Sequence, residues 1–516
     1  MTLHIEYLWT EIERRRRSFP FLESFETAFP EGEIYLVGGA VRDLLLGRET
    51  KDDDFLIRGV PADRLRDFLK DHGKVNWVGK RFGVYKFMPA GLDLEEAIDI
   101  ALPRTERSFM QGGGRRDFEV ESDPDLPVEE DLRRRDFTVN AIAADLKKKK
   151  LIDPFGGVDD LDAGFLRAVG DPTERFAEDT SRLLRALRIV CQFGFRIEEK
   201  TWAALRAGIG AVNARREDGI PIVPREIIAK EMIKAIVSDP ARAFDLWDQS
   251  GAFGELIPEL LRMKGCPQPA LYHSEGDVWT HTRLALSVLS SDAFRKEFQE
   301  SYDAETALAV LFHDIGKPYT IQTPERDGVD RIRFNNHDQV GAGLVREIAN
   351  RLKLSSYPKE SRYHLNDEAL AWLVEKHLLL VHGEVDQMRA ATIEKHFLDP
   401  HRPGKKLLQL IYCDGTATIP PSREPQLVQY ERLKDRISKI EALAVSRSRI
   451  PPPLLSGEEV MGVLGISPGP AVGRALSMLR EEQLSGRLTN QEAALAFLRK
   501  QQAENDRFRD FPSGKP

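Results

Sequence analysis

Cysteine is scarce in this chain: Cys191, Cys266 and Cys413 are all that 516 residues contain. Their number and spacing exclude an even disulfide framework and a cysteine metal cluster, so a reducing cytoplasm is the simplest home. Long apolar runs are missing too, which excludes a helix of bilayer length. The first ten residues place Glu6 inside their only apolar patch, where a cleavable signal would be uninterrupted. The expectation is a soluble protein without a membrane partner. Internal repeats and low-complexity tracts are absent. So is any excess of positive charge, since 75 Lys and Arg stand against 83 Asp and Glu for a net charge of -8. That balance excludes a uniformly basic surface but leaves room for a local basic track. Residues 14–17, 133–135 and 147–150, and Arg447 with Arg449, are candidates, each equally readable as a solvated face. A chain this long exceeds one hydrophobic core and predicts roughly three or four domains.

What the sequence does contain is nucleotide chemistry. Ile34-Tyr35-Leu36-Val37 reads as a buried strand, Gly38-Gly39 as a tight turn and residues 41–46 as the start of a helix. Such a turn aims bare N–H groups at an anion. In Lys51-Asp52-Asp53-Asp54-Phe55-Leu56-Ile57 the apolar tail predicts a second strand, on which Asp52 and Asp54 share a face and Asp53 points away. Carboxylates roughly 6–7 Å apart along a strand can hold the two Mg²⁺ ions, about 3.5–4 Å apart, of in-line phosphoryl transfer. A solvated acidic turn is the plain alternative. Asp99, within Ala97-Ile98-Asp99-Ile100-Ala101-Leu102, is either a third carboxylate of that site or a strand-edge Asp facing water. Arg134-Arg135-Asp136 then sets guanidinium groups suited to planar phosphate recognition ahead of an apolar segment.

In residues 178–188, Asp179, Arg182 and Arg185 recur every three residues, which predicts one polar helical face opposite Leu183, Leu184 and Leu187. A helix laced by ion pairs explains that spacing. So does a base reader, because an Asp acceptor beside Arg donors matches the Watson–Crick edges of cytosine and adenine.

The series GGAVRD, DDD, IDIALPRTERS, RRDFTVNAIA, DPFGGVDDL and EDTSRLLRALR, running from about residue 35 to residue 197, resembles that of class II tRNA nucleotidyltransferases and bacterial poly(A) polymerases. The resemblance implies an α+β, multidomain fold: a small mixed-sheet, polymerase beta-like head over residues 1–155, an all-helical neck over 156–260, an HD body over 265–420 and a helical RNA-binding tail over 421–516. It implies Asp52 and Asp54 as ligands of catalytic Mg²⁺, Gly38, Gly39 and Arg42 around the triphosphate, and Arg135 beside them. Asp179 and Arg182 match its base-reading pair, with Arg185 and Arg188 as further nucleotide contacts. The implied reaction is template-independent addition of C, C and A to a tRNA 3′ end from CTP and ATP. Poly(A) polymerase and CC-only or A-only addition are the alternatives. Phe82-Gly83 leans toward CCA addition, and the broken stretch 108–130, with Gly112-Gly113-Gly114, corresponds to the family's flexible loop or to a plain disordered excursion.

A second chemistry lies downstream. His281, His313, Asp314 and Asp414 resemble the core ligands of HD phosphohydrolases, with His337 and His377 as auxiliary candidates. Imidazole and carboxylate together suit a divalent transition metal that activates water on a phosphoester. The alternative is an HD fold kept for RNA docking, or an HD phosphohydrolase carrying an inactive head. In the tail, Leu433, Ile437, Ile440 and Leu443 keep helical spacing. Residues 465–474 open a further helix, through either an RNA-binding turn or tight packing.

Overall fold

The computed structural model describes residues 3–50, 53–78, 84–92, 97–108, 118–380, 385–422, 427–446, 452–484 and 486–504. Asp52, Phe82-Gly83, Gly112-Gly113-Gly114, Arg447, Arg449 and the side chain of Leu443 lie outside what it describes. The chain forms two compact units, Met1–Pro258 with Arg351–Ser356, and Glu259–Asn350 with Tyr357–Pro516.

The first unit is built on a seven-stranded mixed sheet. Its strands are Glu33–Val37 (β1), Asp54–Arg58 (β2), Gly73–Val78 (β3), Val84–Pro89 (β4), Ile98–Ala101 (β5), Ala143–Asp145 (β6) and Lys150–Ile152 (β7). They run in the order β3-β4-β5-β2-β1-β6-β7. The apolar run of β1 is buried at the centre, where Leu36 pairs with Phe55 on one side and Ala144 on the other. β2 and β5 are parallel, and every other pair in the sheet is antiparallel. Strand alternation sends Phe55 and Phe87 to one face, where Phe21 meets both edge-on with centroids 6.2 and 5.0 Å apart. Asp54, Asp99 and Lys86, each displaced by one residue, therefore occupy the opposite face.

Helices surround the sheet and continue beyond it. Ile5–Ser18 (α1) precedes β1, and Gly39–Leu45 (α2) follows it directly. After β7 come Pro172–Glu178 (α3), Ser181–Phe193 (α4) and Arg225–Ser238 (α5). Asp171 caps α3 by accepting from the Thr173 and Glu174 amides, and Gly194, at φ +73°, ends α4. Leu183, Leu184 and Leu187 are buried as their spacing predicts.

The second unit is almost wholly helical. Val278–Leu289 (α6), Ala304–Phe312 (α7), His337–Leu352 (α8), Asp367–Lys376 (α9) and Gly404–Ala417 (α10) carry the histidine segment. α7 packs against α6, α9 and α10, and Thr306 donates a buried hydrogen bond to Gln409 at 2.9 Å. Val428–Ser446 (α11) buries Tyr430, Leu433, Ile437 and Ile440. Gly457–Leu464 (α12), Pro470–Leu484 (α13) and Gln491–Glu504 (α14) close around Val460, Leu464, Ala475, Leu479 and Leu498.

Among the described residues no helix is long and apolar enough to cross a membrane.

Candidate functional site

The turn after β1 gathers the first cluster. Gly38 sits at φ +74°, a conformation that glycine adopts without steric cost, and a Cβ there would lie 2.7 Å from Arg135 Nη1. Gly39 opens α2 under Arg42, whose Nη2 would be 3.3 Å from a Cβ at that position. Arg42 is buried. It donates to Asp43 at 2.8 Å and Asn140 at 2.6 Å, and its guanidinium lies 4.3 Å over the Phe193 ring. Arg134 and Arg135 reach Asp131 at 2.9 and 3.3 Å. Burial pushes the Asp131 carboxyl up, yet these two arginines hold it below the usual carboxylate range. Gly38, Gly39, Arg42 and Arg135 are thus brought together around one turn, with cationic groups over its amides.

The acids stand on the neighbouring strands. Parallel pairing sets Asp54 opposite Asp99, and antiparallel pairing sets Asp99 opposite Lys86, whose Nζ is 2.6 Å from Asp99 Oδ1. A row of alternating charge therefore crosses β2, β5 and β4 on one face. Asp53 turns to α1, where Arg15 holds it at 2.6 Å while also donating to the Thr50 carbonyl at 3.0 Å. Carboxylates in register on adjacent strands form an oxygen-rich donor set that fits a hard divalent cation.

The segment of Asp179, Arg182, Arg185 and Arg188 differs from its predicted single helical face. Asp179 lies outside α4, in extended backbone (φ -138°, ψ 100°) at the end of α3, with Thr180 between it and the first residue of α4. Its Oδ1 accepts from the Ser181 amide at 3.0 Å and hydroxyl at 2.6 Å, and neither bond uses Oδ2. Arg182 donates to Glu178 at 2.6 Å and to the carbonyls of Arg175 and Arg134 at 2.9 and 3.0 Å. Arg185 bonds Asp136 at 2.9 Å, and Arg188 bonds Glu231 at 2.5 Å. Asp136 also accepts from Asn140 and from the Phe137 amide. Burial raises its pKa, but Arg185 and Asn140 outweigh that and hold it well below the carboxylate range. The sequence reading missed Asp131, Asn140, Glu178, Phe193 and Glu231. The acid in Arg134-Arg135-Asp136 was visible, but a partner 49 residues away leaves no spacing signal.

In the second unit, His281, His313, Asp314, His337, His377 and Asp414 come from α6, the end of α7, the turn after it, α8, the segment after α9, and α10. His313, His337 and His377 each place Nδ1 2.6–2.8 Å from the carbonyl of the residue three before. A carbonyl only accepts, so these nitrogens carry a proton and each Nε2 is left to face the acids of the cluster. Those three Nε2 atoms are buried without a hydrogen-bond partner and lie 3.2, 3.4 and 3.7 Å from the Asp314 oxygens. His281 places Nε2 3.0 Å from Asp414 and Nδ1 3.0 Å from Glu275. Burial lowers its pKa, but the two carboxylates raise it to about 9. Burial raises Asp314's own pKa, and His313 and Lys317, whose Nζ is 2.7 Å away, bring it well below the usual value. Gly316 permits the convergence, since a Cβ there would meet the His337 carbonyl at 2.0 Å.

Three donor groups result among the described residues: His281, His313 and Asp414; Asp314, His337 and His377; and, farther out, His273, Glu275 and His281. Buried imidazoles grouped with carboxylates fit a divalent transition metal. Glu275, Lys317 and His273 were not anticipated from the sequence, although Glu275 and His281 are six apart, too far for one helical turn to flag them.

Comparison with known proteins follows the same division. Residues 34–167 match the poly A polymerase head domain, and residues 280–442 match the HD domain. The multifunctional CCA protein of Nitrosococcus oceani is 36% identical over 390 residues, covering 75% of this chain and 84% of that protein. The multifunctional CCA protein of Stenotrophomonas maltophilia is 32% identical over 468 residues, 88% of this chain and 99% of its own. Among solved structures, the CCA-adding enzyme of Bacillus stearothermophilus in complex with CTP covers 95% of this chain and 97% of its own, with a TM-score of 0.61 at 21% identity. The Thermotoga maritima CCA-adding enzyme complexed with tRNA gives 0.57 at 21%, covering 96% of this chain and 99% of its own. At those identities the likeness is one of fold.

Proposed function

Because this chain belongs to the family of multifunctional CCA proteins, we propose that its head transfers nucleotides at Asp52, Asp54 and Asp99 while its HD segment forms a separate metal centre. It is a tRNA nucleotidyltransferase that adds C, C and A to the tRNA 3′ end from CTP and ATP. The observation that carries the site assignment is the register of β2 and β5, which sets Asp54 beside Asp99, with β2 paired to the strand β1 that leads into the Gly38 turn.

In this reading the Gly38-Gly39 amides, Arg42 and Arg135 hold the triphosphate, and Asp52, Asp54 and Asp99 supply the carboxylate oxygens that retain Mg²⁺. Mg²⁺ held there would supply charge that acidifies the tRNA 3′-hydroxyl and steadies the α-phosphate. The hydroxyl gives up its proton to solvent, its oxygen forms a new bond to the α-phosphorus as the bond to the β-phosphate oxygen breaks, and pyrophosphate leaves toward the Gly39 turn. Asp179, through Oδ2, accepts from the amino group that cytosine and adenine share, and Arg182 donates to the ring acceptors beside it. Uracil and guanine present a carbonyl at that edge position and meet the carboxylate unfavourably. Arg185 and Arg188 line the approach.

The working division is a head over 1–155, a neck over 156–260, an HD body over 265–420 and a tail over 421–516, in a cytoplasmic enzyme. In the HD body, His281, His313, Asp314 and Asp414 hold one transition-metal position, and Asp314, His337 and His377 offer an adjoining one. Metal there would supply an activated water for phosphoester hydrolysis. The support is the set of buried Nε2 atoms without hydrogen bonds.

The test of the first function offers the protein tRNA ending at the discriminator base, at C or at CC, with labelled CTP or ATP in turn. CMP should enter the first two substrates and AMP only the third. Repeated AMP addition to all three would show a poly(A) polymerase.

A further inference from the structure

Four imidazoles face the carboxylates of the HD cluster, and one is held unlike the rest. His313, His337 and His377 rest on main-chain carbonyls, whereas His281 places Nδ1 3.0 Å from the Oε1 of Glu275. The Glu275 side chain is 1% exposed. Its other oxygen accepts from the Ile419 amide at 3.1 Å, and His273 Nδ1 lies 2.6 Å from Oε1. Ser274 fastens the same segment, donating through its amide and hydroxyl to the Ile419 carbonyl at 2.6 and 2.8 Å. Residues 273–275 are thereby clamped to the chain just past α10, the helix that carries Asp414.

A buried carboxylate is costly to keep unless its charge is used. Here both of its oxygens are engaged, and Oε1 faces the remote nitrogen of the one candidate ligand that no carbonyl orients. An anionic acceptor fixes the tautomer with the proton on Nδ1, turns the ring so that Nε2 faces Asp414, and makes that nitrogen a stronger donor to a cation than a carbonyl acceptor does.

We propose that Glu275 is a positioning residue of the metal centre, fixing the tautomer and basicity of His281 through the Glu275–His281 hydrogen bond. The proposal rests on the metal-binding reading of the HD cluster. Glu275 touches neither metal nor substrate in this role, and His273 shares the same oxygen.

The test titrates Co²⁺ into the metal-free full-length protein and follows its visible absorption band. Glu275→Gln keeps the shape and removes the charge. It should weaken Co²⁺ binding about 10- to 100-fold, the usual effect of losing such a partner, with the metal-free variant still folded and nucleotide addition unchanged. Equal Co²⁺ affinity in wild type and variant would overturn the role of Glu275. A loss of affinity in a variant that is already unfolded without metal would overturn it too, since that is what a purely structural residue gives. A second measurement needs no variant: in the ¹⁵N-histidine NMR spectrum of the Zn²⁺-loaded wild type, the Nδ1 proton of His281 should lie downfield of the three carbonyl-bound ones. Its absence from that position would refute the proposal. A wild type with no Co²⁺ band at all would instead overturn the metal reading on which the proposal stands.

Discussion

Replacing Asp136 by Asn should destabilise the first unit by about 3–5 kcal/mol, the range for removing one partner of a buried ion pair. The carboxylate is 6% exposed and accepts from Arg185 at 2.9 Å, Asn140 at 3.0 Å and its neighbour's amide at 2.8 Å. An amide can retain the last two bonds, but it faces Arg185 without charge. Each charged hydrogen bond is worth about 1.5–3 kcal/mol, so losing the Arg185 bond and leaving that cation unbalanced reaches the same range. The effect has a defined pH dependence. The folded-state pKa of Asp136 is depressed, so its contribution is fully present above the unfolded value near pH 4 and is lost as pH falls toward the lower folded value. Urea titrations at pH 7, 5, 4 and 3 can be read by deuterium uptake in peptides covering α4, which reports on this unit alone. The gap between wild type and Asp136→Asn should be constant from pH 7 to 5 and shrink below pH 4. A gap under about 1 kcal/mol at pH 7, or one that stays constant to pH 3, would refute the charge argument.

Asp52→Ala or Asp54→Ala should abolish nucleotide addition with tRNA binding nearly intact, whereas Asp53→Ala should cost stability through its lost pairing with Arg15 and leave most of the activity; normal addition by either of the first two variants would remove them from the site. Asp179→Ala should relax discrimination against UTP and GTP by about 1–3 kcal/mol, read as single-nucleotide incorporation with each of four triphosphates, because a base-edge pair is worth that much. Unchanged preference would place base reading elsewhere. His313→Ala should remove metal-dependent hydrolysis of a 2′,3′-cyclic nucleotide while addition survives, and Asp54→Ala should do the reverse. Joint loss of both activities in His313→Ala would make the HD segment a scaffold coupled to the head.

Legibility in the sequence followed the range of the interaction. The sheet core around β1 and β2 announced itself through short apolar runs and a glycine turn, all local signals. Asp54's place on the sheet face was readable because strand alternation is fixed by geometry, although Asp99's place opposite it depends on a parallel pairing across 45 residues that no pattern encodes. Helical spacing misplaced Asp179, since a period of three cannot tell a helix from the residue just before one. The HD ligands were found by residue type and family resemblance. Their geometry came from three-dimensional packing, including the close approach of Gly316 to the His337 backbone.

The two centres are prepared for their ligands in different ways. In the HD cluster, the backbone carbonyl three residues before each histidine fixes three of the rings, so the donor atoms are set by the fold before any cation arrives. In the head and neck, Arg42, Arg185 and Arg188 are held by side chains, Asp43 and Asn140, Asp136 and Glu231 respectively, and Arg182 by Glu178 together with two backbone carbonyls. Asn140 joins two of these, since its carbonyl oxygen accepts from Arg42 while its amide donates to Asp136, which in turn holds Arg185. A hydrogen-bonded line therefore runs from Arg42, beside the Gly38 turn, to Arg185 of α4. A line of shared side-chain hydrogen bonds can exchange partners where a backbone-fixed set cannot.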